Sequence, residues 1–344
     1  MEELARVKQK ALTLSDLAGD LVAEAARSLL AVVREQAKGL PLPEIQRRFD
    51  AAIKALRGDR ATAAGVSHIP QGINALGNGD LNALPCGFPS TNQSQVGESL
   101  IEMAQTLGSR HRDYIILGEG NAAGRCSKGT FLVTASASSL NTIKHEELVE
   151  MDLPACLGIV DHCHLSDDEI KAGLLAARTE RSNDAVPSVG TFEHAVLLDM
   201  LDAQFIAHTH PTSVNAILCS RKAREALAGR IFPDEVVCCG IAPCVVDYAD
   251  PGLPLARAFK AGIKEFRTQY NCSPKVFCLI NHGIFVAGAS PADVVATTDM
   301  FVKVCEILYR THALGGPQYL AAKSVERLAV RGDERYRRTK MGLS

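Results

Sequence analysis

Apolar positions first recur at helical spacing: Leu14, Leu17, Leu21, Ala25, Leu29 and Val32 step by three and four residues. Pro41 and Pro43 interrupt the run, and Glu44 opens a second one that Phe49, Ile53 and Leu56 continue. The pattern predicts a helical extension over 1–58, suited to an oligomerisation arm or a packing cap. Residues 59–94 lose periodicity and are rich in Gly, Asn, Pro and Ser, as in the stretch from Gly72 to Asp80. That composition predicts a loop-rich linker. It is long for a connection inside a domain, which points to a functional surface or an interface.

Beyond this linker, apolar runs of two kinds alternate. Helical spacing predicts helices over 96–107, 146–151, 167–178, 191–201 and 213–220. A further helix runs to about residue 309 from Ser290, a capping residue followed by Pro291 in the first turn. Short apolar runs predict strands at 113–117, 131–134, 205–208, 236–239, 244–246 and 276–280. Loops are expected at 118–125 and 179–185. Strands and helices alternate irregularly, so the expected class is α/β with a mixed central sheet, over a domain spanning 95–315 and followed by a tail, 316–344.

Composition narrows the function classes. The chain has 344 residues, 47% hydrophobic and 22% charged, enough to bury a sizeable core. Its 37 basic and 39 acidic residues leave no electrostatic footprint for nucleic acid or an anionic membrane. No apolar stretch reaches the roughly 18 residues of a membrane span. Residues 1–5 lack the basic-then-apolar shape of a secretory leader, so a cytoplasmic protein is expected. The 11 cysteines are scattered; Cys219, Cys238, Cys239, Cys244 and Cys278 lie in apolar runs and are expected to be reduced and buried.

The candidate chemistry lies in His208-Thr209-His210 and Asn281-His282-Gly283. On a strand, residues two apart point to the same side, so His208 and His210 share a face. His282 ends another apolar run. Three neutral imidazoles with an open fourth position form a catalytic divalent-metal site, zinc first, with manganese or cobalt as alternatives. Such an ion polarises a carbonyl or enediolate oxygen. The competing reading is that these are satisfied core or cap histidines. Context weighs against it: Pro211 and Thr212 follow the pair, a strand end passing into a helix start.

Four segments, in order, resemble the class II aldolase/adducin family: Gly120-Asn121 followed by Arg125, residues 133–137, Pro187-Ser188 through His194, and the two histidine motifs. The stretch 140–153 also fits, and the long rhamnulose-1-phosphate aldolase-type domains are the most similar kind. The resemblance implies a three-layer α/β/α class II aldolase-like fold with a mostly antiparallel central sheet. It implies a divalent ion on His208, His210 and His282, and a homotetramer with active sites between subunits. It also implies a substrate phosphate held by Gly120, Asn121, Ser136 and Ser188, where turn amides and hydroxyls cradle an anion. Alternatively, Gly120 and Asn121 only make a turn.

The chain departs from the family pattern at two places. Pro187-Ser188-Val189-Gly190 stands where the family carries Pro-Ser-Ser-Glu, so the catalytic carboxylate is missing. Glu193, three residues on, shares a helix face with that position and is the candidate replacement; its other reading is electrostatic support of the helix N-terminus. Thr134-Ala135-Ser136-Ala137 places alanine where a glycine is usual, which narrows backbone freedom near an anion. Tyr248 and Tyr270 do not fall at the place of the family's tyrosine proton donor. Arg125, Lys128 and Arg181 are cations available to a substrate carboxylate.

Two motifs are decoys. The stretch from Asp161 to His164 carries ligand-type side chains but precedes a polar helix start and reads as a surface loop. The glycines between Gly118 and Gly124 imitate a dinucleotide loop, yet a strand rather than a helix follows. The expected function is a metal-dependent lyase on a small hydroxy-carbonyl substrate, through a metal-stabilised enediolate, with retro-aldol cleavage first. Decarboxylation, dehydration or epimerisation, or a non-catalytic adducin-like assembly module, are the alternatives. The expected partners are a small-molecule substrate and further copies of the chain, without nucleic acid or membrane.

Overall fold

Apolar residues on both faces of seven short strands build one mixed sheet between two helical layers. The computed structural model describes residues 93–333 apart from 128, 163 and 180–184, together with 336 and 340. The expected helical arm, nearly all of the linker, Lys128 and Arg181 lie outside the described residues. So does most of the loop expected at 179–185.

The described elements run α1 (Gln93–Leu107), β1 (Asn121–Arg125), β2 (Thr130–Thr134), β3 (Leu148–Asp152), α2 (Leu153–Asp161), α3 (Asp167–Ala176), α4 (Thr191–Met200) and β4 (Phe205–Thr209). They continue with α5 (Thr212–Leu218), α6 (Ala223–Ala226), α7 (Pro233–Cys239), β5 (Cys244–Val246), α8 (Leu253–Tyr270), β6 (Val276–Leu279), β7 (Gly283–Gly288), α9 (Pro291–His312) and α10 (Ala322–Val330). The strand order is β3-β2-β1-β4-β7-β6-β5. The β5–β6 pair is parallel and all other neighbours are antiparallel, as expected of this fold.

Successive strand residues face opposite layers. Ala123, Phe131, Val133, Ile206, Phe277 and Phe285 pack with α2, α4 and α8. Ala122, Leu132, Ala207, Cys278, Ile284 and Val286 pack with α1, α5 and α9 on the other side. Helix α8 shows why the layers form: Leu255, Phe259, Ile263 and Phe266 fall on one face and are buried. Burying each such side chain contributes roughly 1.5–3 kcal/mol. Ser290 caps α9 by accepting from the Asp293 amide at 3.1 Å, as its position before Pro291 predicts.

Four expectations are corrected. Residues 113–117 are not a strand: Asp113 and Leu117 take positive φ values of 56° and 52°, which break extended pairing. Residues 121–125, expected as loop, form β1, because their small side chains let the sheet approach α1. A Cβ on Gly124 would meet Val96 Cγ1 at 2.9 Å. The helix expected at 146–151 is a short 3-10 turn passing into β3, whose Leu148, Val149 and Met151 pair beside β2. The strand expected at 236–239 is the end of α7, started by Pro233 with Asp234 and Glu235 in its first turn and stopped at Gly240, φ 83°. Here terminal helix signals outweigh a short β-branched run.

Within the expected tail, 316–344, lies α10, whose Val325 and Leu328 pack on Val236. Among the described cysteines all are free, as expected. Cys239, Cys244 and Cys278 are buried, whereas Cys238 is half-buried and Cys219, at the end of α5, is exposed. No helix of the described residues is long and apolar enough to cross a membrane.

Candidate metal centre and active site

The centre is assembled by the pairing of β4 with β7. His208 lies opposite Phe285 in that register, and His210 follows the end of β4. The turn between β6 and β7 carries His282, whose amide donates to the Leu279 carbonyl at 3.1 Å. Asn281 takes φ 60° in this turn. Asn215 of α5 anchors it by donating to the His282 carbonyl at 2.9 Å. The ligand nitrogens of the three imidazoles lie within 4.8 Å of one another, and they are the one such cluster of three or more potential ligands among the described residues.

Each ring is held. His208 Nδ1–H donates to the Ile284 carbonyl at 2.9 Å, which leaves the Nε2 lone pair free. That Nε2 faces His210 Nε2 at 2.9 Å. Donors around a tetrahedral zinc ion, with Zn–N near 2.0–2.1 Å, stand about 3.3 Å apart, between the 2.9 Å of this pair and the 4.8 Å that bounds the set, so small ring rotations bring the three donors onto one ion. Phe285 stacks on the His208 ring at 4.2 Å. Burial, followed by the neighbouring imidazoles, pushes His208 well below the usual imidazole range. Burial and then His210 bring His282 to about 4. Burial also lowers His210, against the pull of Glu119. Neutral imidazoles at neutral pH are the form a metal requires.

Gly283 is fixed by this geometry. A Cβ there would meet His210 Cδ2 at 2.5 Å and the Thr209 carbonyl at 2.6 Å. Gly283→Ala is therefore expected to displace His210 and weaken zinc binding at least about tenfold, as loss of ligand support does. Titration of the apoprotein with zinc checks this, and wild-type affinity in the variant would refute it.

The imidazoles open on a cavity of about 240 Å³. Gly120, Asn121, Ser136, Ser188, Glu193, His208, His210 and His282, all eight candidates from the sequence, line it together. Glu193 is buried at 1% exposure. Its Oε1 accepts from the Gly252 amide at 2.7 Å, and its Oε2 has no partner. Burial pushes its carboxyl up to about 8, against the Gly252 hydrogen bond. At neutral pH it is a protonated acid at the cavity wall. The helix-terminus reading of Glu193 gives no reason for this burial.

Asn121 and His194 form a pair, Nε2 to Oδ1, at 2.7 Å. His194 is fully buried and its Nδ1 has no partner. An orphaned N–H is rarer than an orphaned acceptor, which places the proton on Nε2. The Asn121 oxygen then accepts from His194, and its amide nitrogen is left to donate to a ligand. Gly120 takes φ 72°, and a Cβ on it would meet the His208 carbonyl at 2.6 Å. Glycine is thus required by close approach as well as by the turn.

Ala137 lies at the cavity edge with φ 63°. A left-handed alanine costs roughly 1–2 kcal/mol, part of which an added glycine returns through unfolded-chain entropy. Ala137→Gly is expected to stabilise the protein by about 0.5–1 kcal/mol, read from the midpoint of urea unfolding. An unchanged or lower midpoint would refute it.

The other candidates lie elsewhere. Arg125 donates to the Leu198 carbonyl and does not line the cavity. Tyr248 and Tyr270 line a separate groove. His162 ends α2 and is exposed, as is His164. Sequence reasoning missed Glu119, which lines the cavity beside His210. Its place among the glycines of the dinucleotide-loop decoy hid it; its adjacency to Gly120 and Asn121 was the available signal.

Residues 98–309 match the family model described as the Class II Aldolase and Adducin N-terminal domain. Among curated proteins, the 3-oxo-tetronate 4-phosphate decarboxylase of Haemophilus influenzae is 25% identical over 240 residues, 69% of this chain and 94% of that protein. Among solved structures, an L-fuculose 1-phosphate aldolase aligns with a TM-score of 0.54 at 16% identity, covering 73% of this chain and all of that one. YgbL of Klebsiella pneumoniae aligns with a TM-score of 0.52 at 20% identity, covering 69% and 99% of the two chains.

Proposed function

Because this chain belongs to the class II aldolase and adducin family, whose matched relatives include enzymes, we propose that it is a metal-dependent lyase cleaving a small hydroxy-carbonyl substrate by a retro-aldol reaction. Enzymes of the class II aldolase family typically depend on a divalent metal, and zinc is the first choice here. The observation that carries the reading is the convergence of the three neutral imidazoles on one cavity. When bound, the ion would supply Lewis-acid polarisation of the substrate's carbonyl and hydroxyl oxygens. A scaffold role gives no reason to hold these nitrogens together.

The chain's own residues supply the rest. Asn121 donates to a substrate oxygen, with its orientation set by His194. The Ser188 hydroxyl is buried without a partner and lines the cavity with Ser136, so both are placed to bond a hydroxyl or phosphate. As the carbon–carbon bond breaks, the substrate hydroxyl gives up its proton to solvent while its oxygen becomes a carbonyl, and Glu193, which holds a proton at Oε2, delivers it to the carbon left electron-rich and is reprotonated from water. It thereby takes the part of the carboxylate absent from 187–190. We place the protein in the cytoplasm as a homotetramer, in line with the family.

A second reading, decarboxylation, is favoured by the name of the Haemophilus influenzae relative. Loss of carbon dioxide leaves the same kind of carbanion, and Glu193 can protonate it equally well. Zinc-loaded protein offered hydroxy-carbonyl acids and sugars, with and without phosphate, separates the two. An aldehyde paired with a second carbonyl fragment supports retro-aldol cleavage. Carbon dioxide with one fragment supports decarboxylation, and no turnover of any member under zinc, manganese or cobalt would count against the lyase.

A further inference from the structure

Two points dock the loop before β1 onto the metal-site histidines. The His210 amide donates to the Tyr114 carbonyl at 2.8 Å. At the side chain, Glu119 Oε2 stands 3.7 Å from His210 Nδ1. The carboxylate is itself held in place. Oε2 accepts from the Ile116 amide at 3.0 Å, and the Glu119 amide donates back to the Ile116 carbonyl at 3.1 Å. Gly120, locked against the His208 carbonyl, follows directly. Glu119 therefore stands on a braced turn.

The two nitrogens of His210 face different things. Nε2 points at His208 Nε2 and the metal position. Nδ1 points at Glu119. His208 has the same division, with the Ile284 carbonyl on its Nδ1. A metal-bound imidazole whose outer N–H meets a carboxylate is fixed in tautomer and orientation and becomes a stronger donor.

We propose that Glu119 is a positioning residue for the metal: from 3.7 Å it attracts the Nδ1–H side of His210 electrostatically, presents Nε2 to the ion and offsets part of its charge. This rests on the reading of the three histidines as a metal centre. A neutral triad around a divalent ion keeps its full double charge, so an anion beside the ligand farther from the core raises affinity. Glu119 is 38% exposed in its side chain, so it faces the cavity rather than the core.

The test is zinc affinity, read by competition with a chromogenic chelator for the wild type, Glu119→Gln, Glu119→Asp and Glu119→Ala. Glutamine retains an oxygen for the Ile116 amide but loses the charge. Zinc binding by Glu119→Gln is expected to weaken about 10- to 100-fold, with apoprotein Tm unchanged and partial recovery in Glu119→Asp. Wild-type affinity in Glu119→Gln would overturn the assignment while leaving the metal centre standing. So would a loss of affinity that merely tracks the Tm loss of Glu119→Ala, since the turn would then be its cause. Failure of the wild type to bind zinc would overturn the metal centre and this assignment together.

Discussion

Replacing His208 and His210 together with alanine is expected to lower kcat/KM by about 10⁴-fold or more, since the Lewis acid supplies several kcal/mol of transition-state stabilisation and each tenfold in rate is about 1.4 kcal/mol. The loss follows from geometry. The two Nε2 atoms face each other at 2.9 Å, so removing both leaves His282 alone, which cannot retain an ion. The sheet is expected to survive, because the β4–β7 pairing runs through the backbone and Phe205, Ile206 and Ala207 keep their packing. Circular dichroism and urea unfolding check the fold, and elemental analysis checks the metal. A folded variant that kept wild-type turnover would remove these residues from the mechanism.

Glu193→Gln is the second large effect. Loss of a positioned acid or base costs roughly 10²- to 10⁴-fold, and kcat is expected to fall by that much while zinc stays bound. The pH profile separates this from a structural defect. Burial holds the Glu193 carboxyl at about 8 in the metal-free protein, and kcat of the zinc enzyme is expected to fall as pH rises through the titration of this acid. The glutamine variant lacks this limb. The stability linkage has a defined sign. The folded value is raised above the ordinary 4.5, so the folded state keeps a proton that the unfolded chain releases. That contribution is fully present below about 4.5 and lost as pH rises through about 8. Glu193→Gln is therefore expected to flatten the fall in stability over this window. A variant with wild-type kcat at all pH values would contradict the role.

The histidine cluster was legible because its signals are local. Period two puts His208 and His210 on one side of a strand, and Asn281-His282-Gly283 announces a turn after an apolar run. The cavity could be read only through the resemblance, since Gly120, Ser136 and Ser188 meet across three separate elements. What failed was local pattern overridden by tertiary context. Residues 121–125 look like loop because Ala122, Ala123 and Gly124 are small. Their smallness is what lets β1 sit beneath Val96 and Phe205. Residues 236–239 look like a strand because Val236 and Val237 are β-branched, yet Pro233 and Gly240 bound a helix turn. Strand β7, which supplies the partner for His208, was not anticipated at all: all six of its residues are buried, and no alternation marks it. Glu119 went unread for a different reason, since its nearness to His210 depends on the turn at Leu117.

The measurement that tests the account most directly is calorimetric titration of chelator-stripped wild-type protein with zinc, beside the His208→Ala, His210→Ala double variant. Close to one ion bound per chain is expected in the wild type and none at that site in the variant. Absence of binding by the wild type, with manganese and cobalt failing likewise, or equal binding by both proteins, would contradict it.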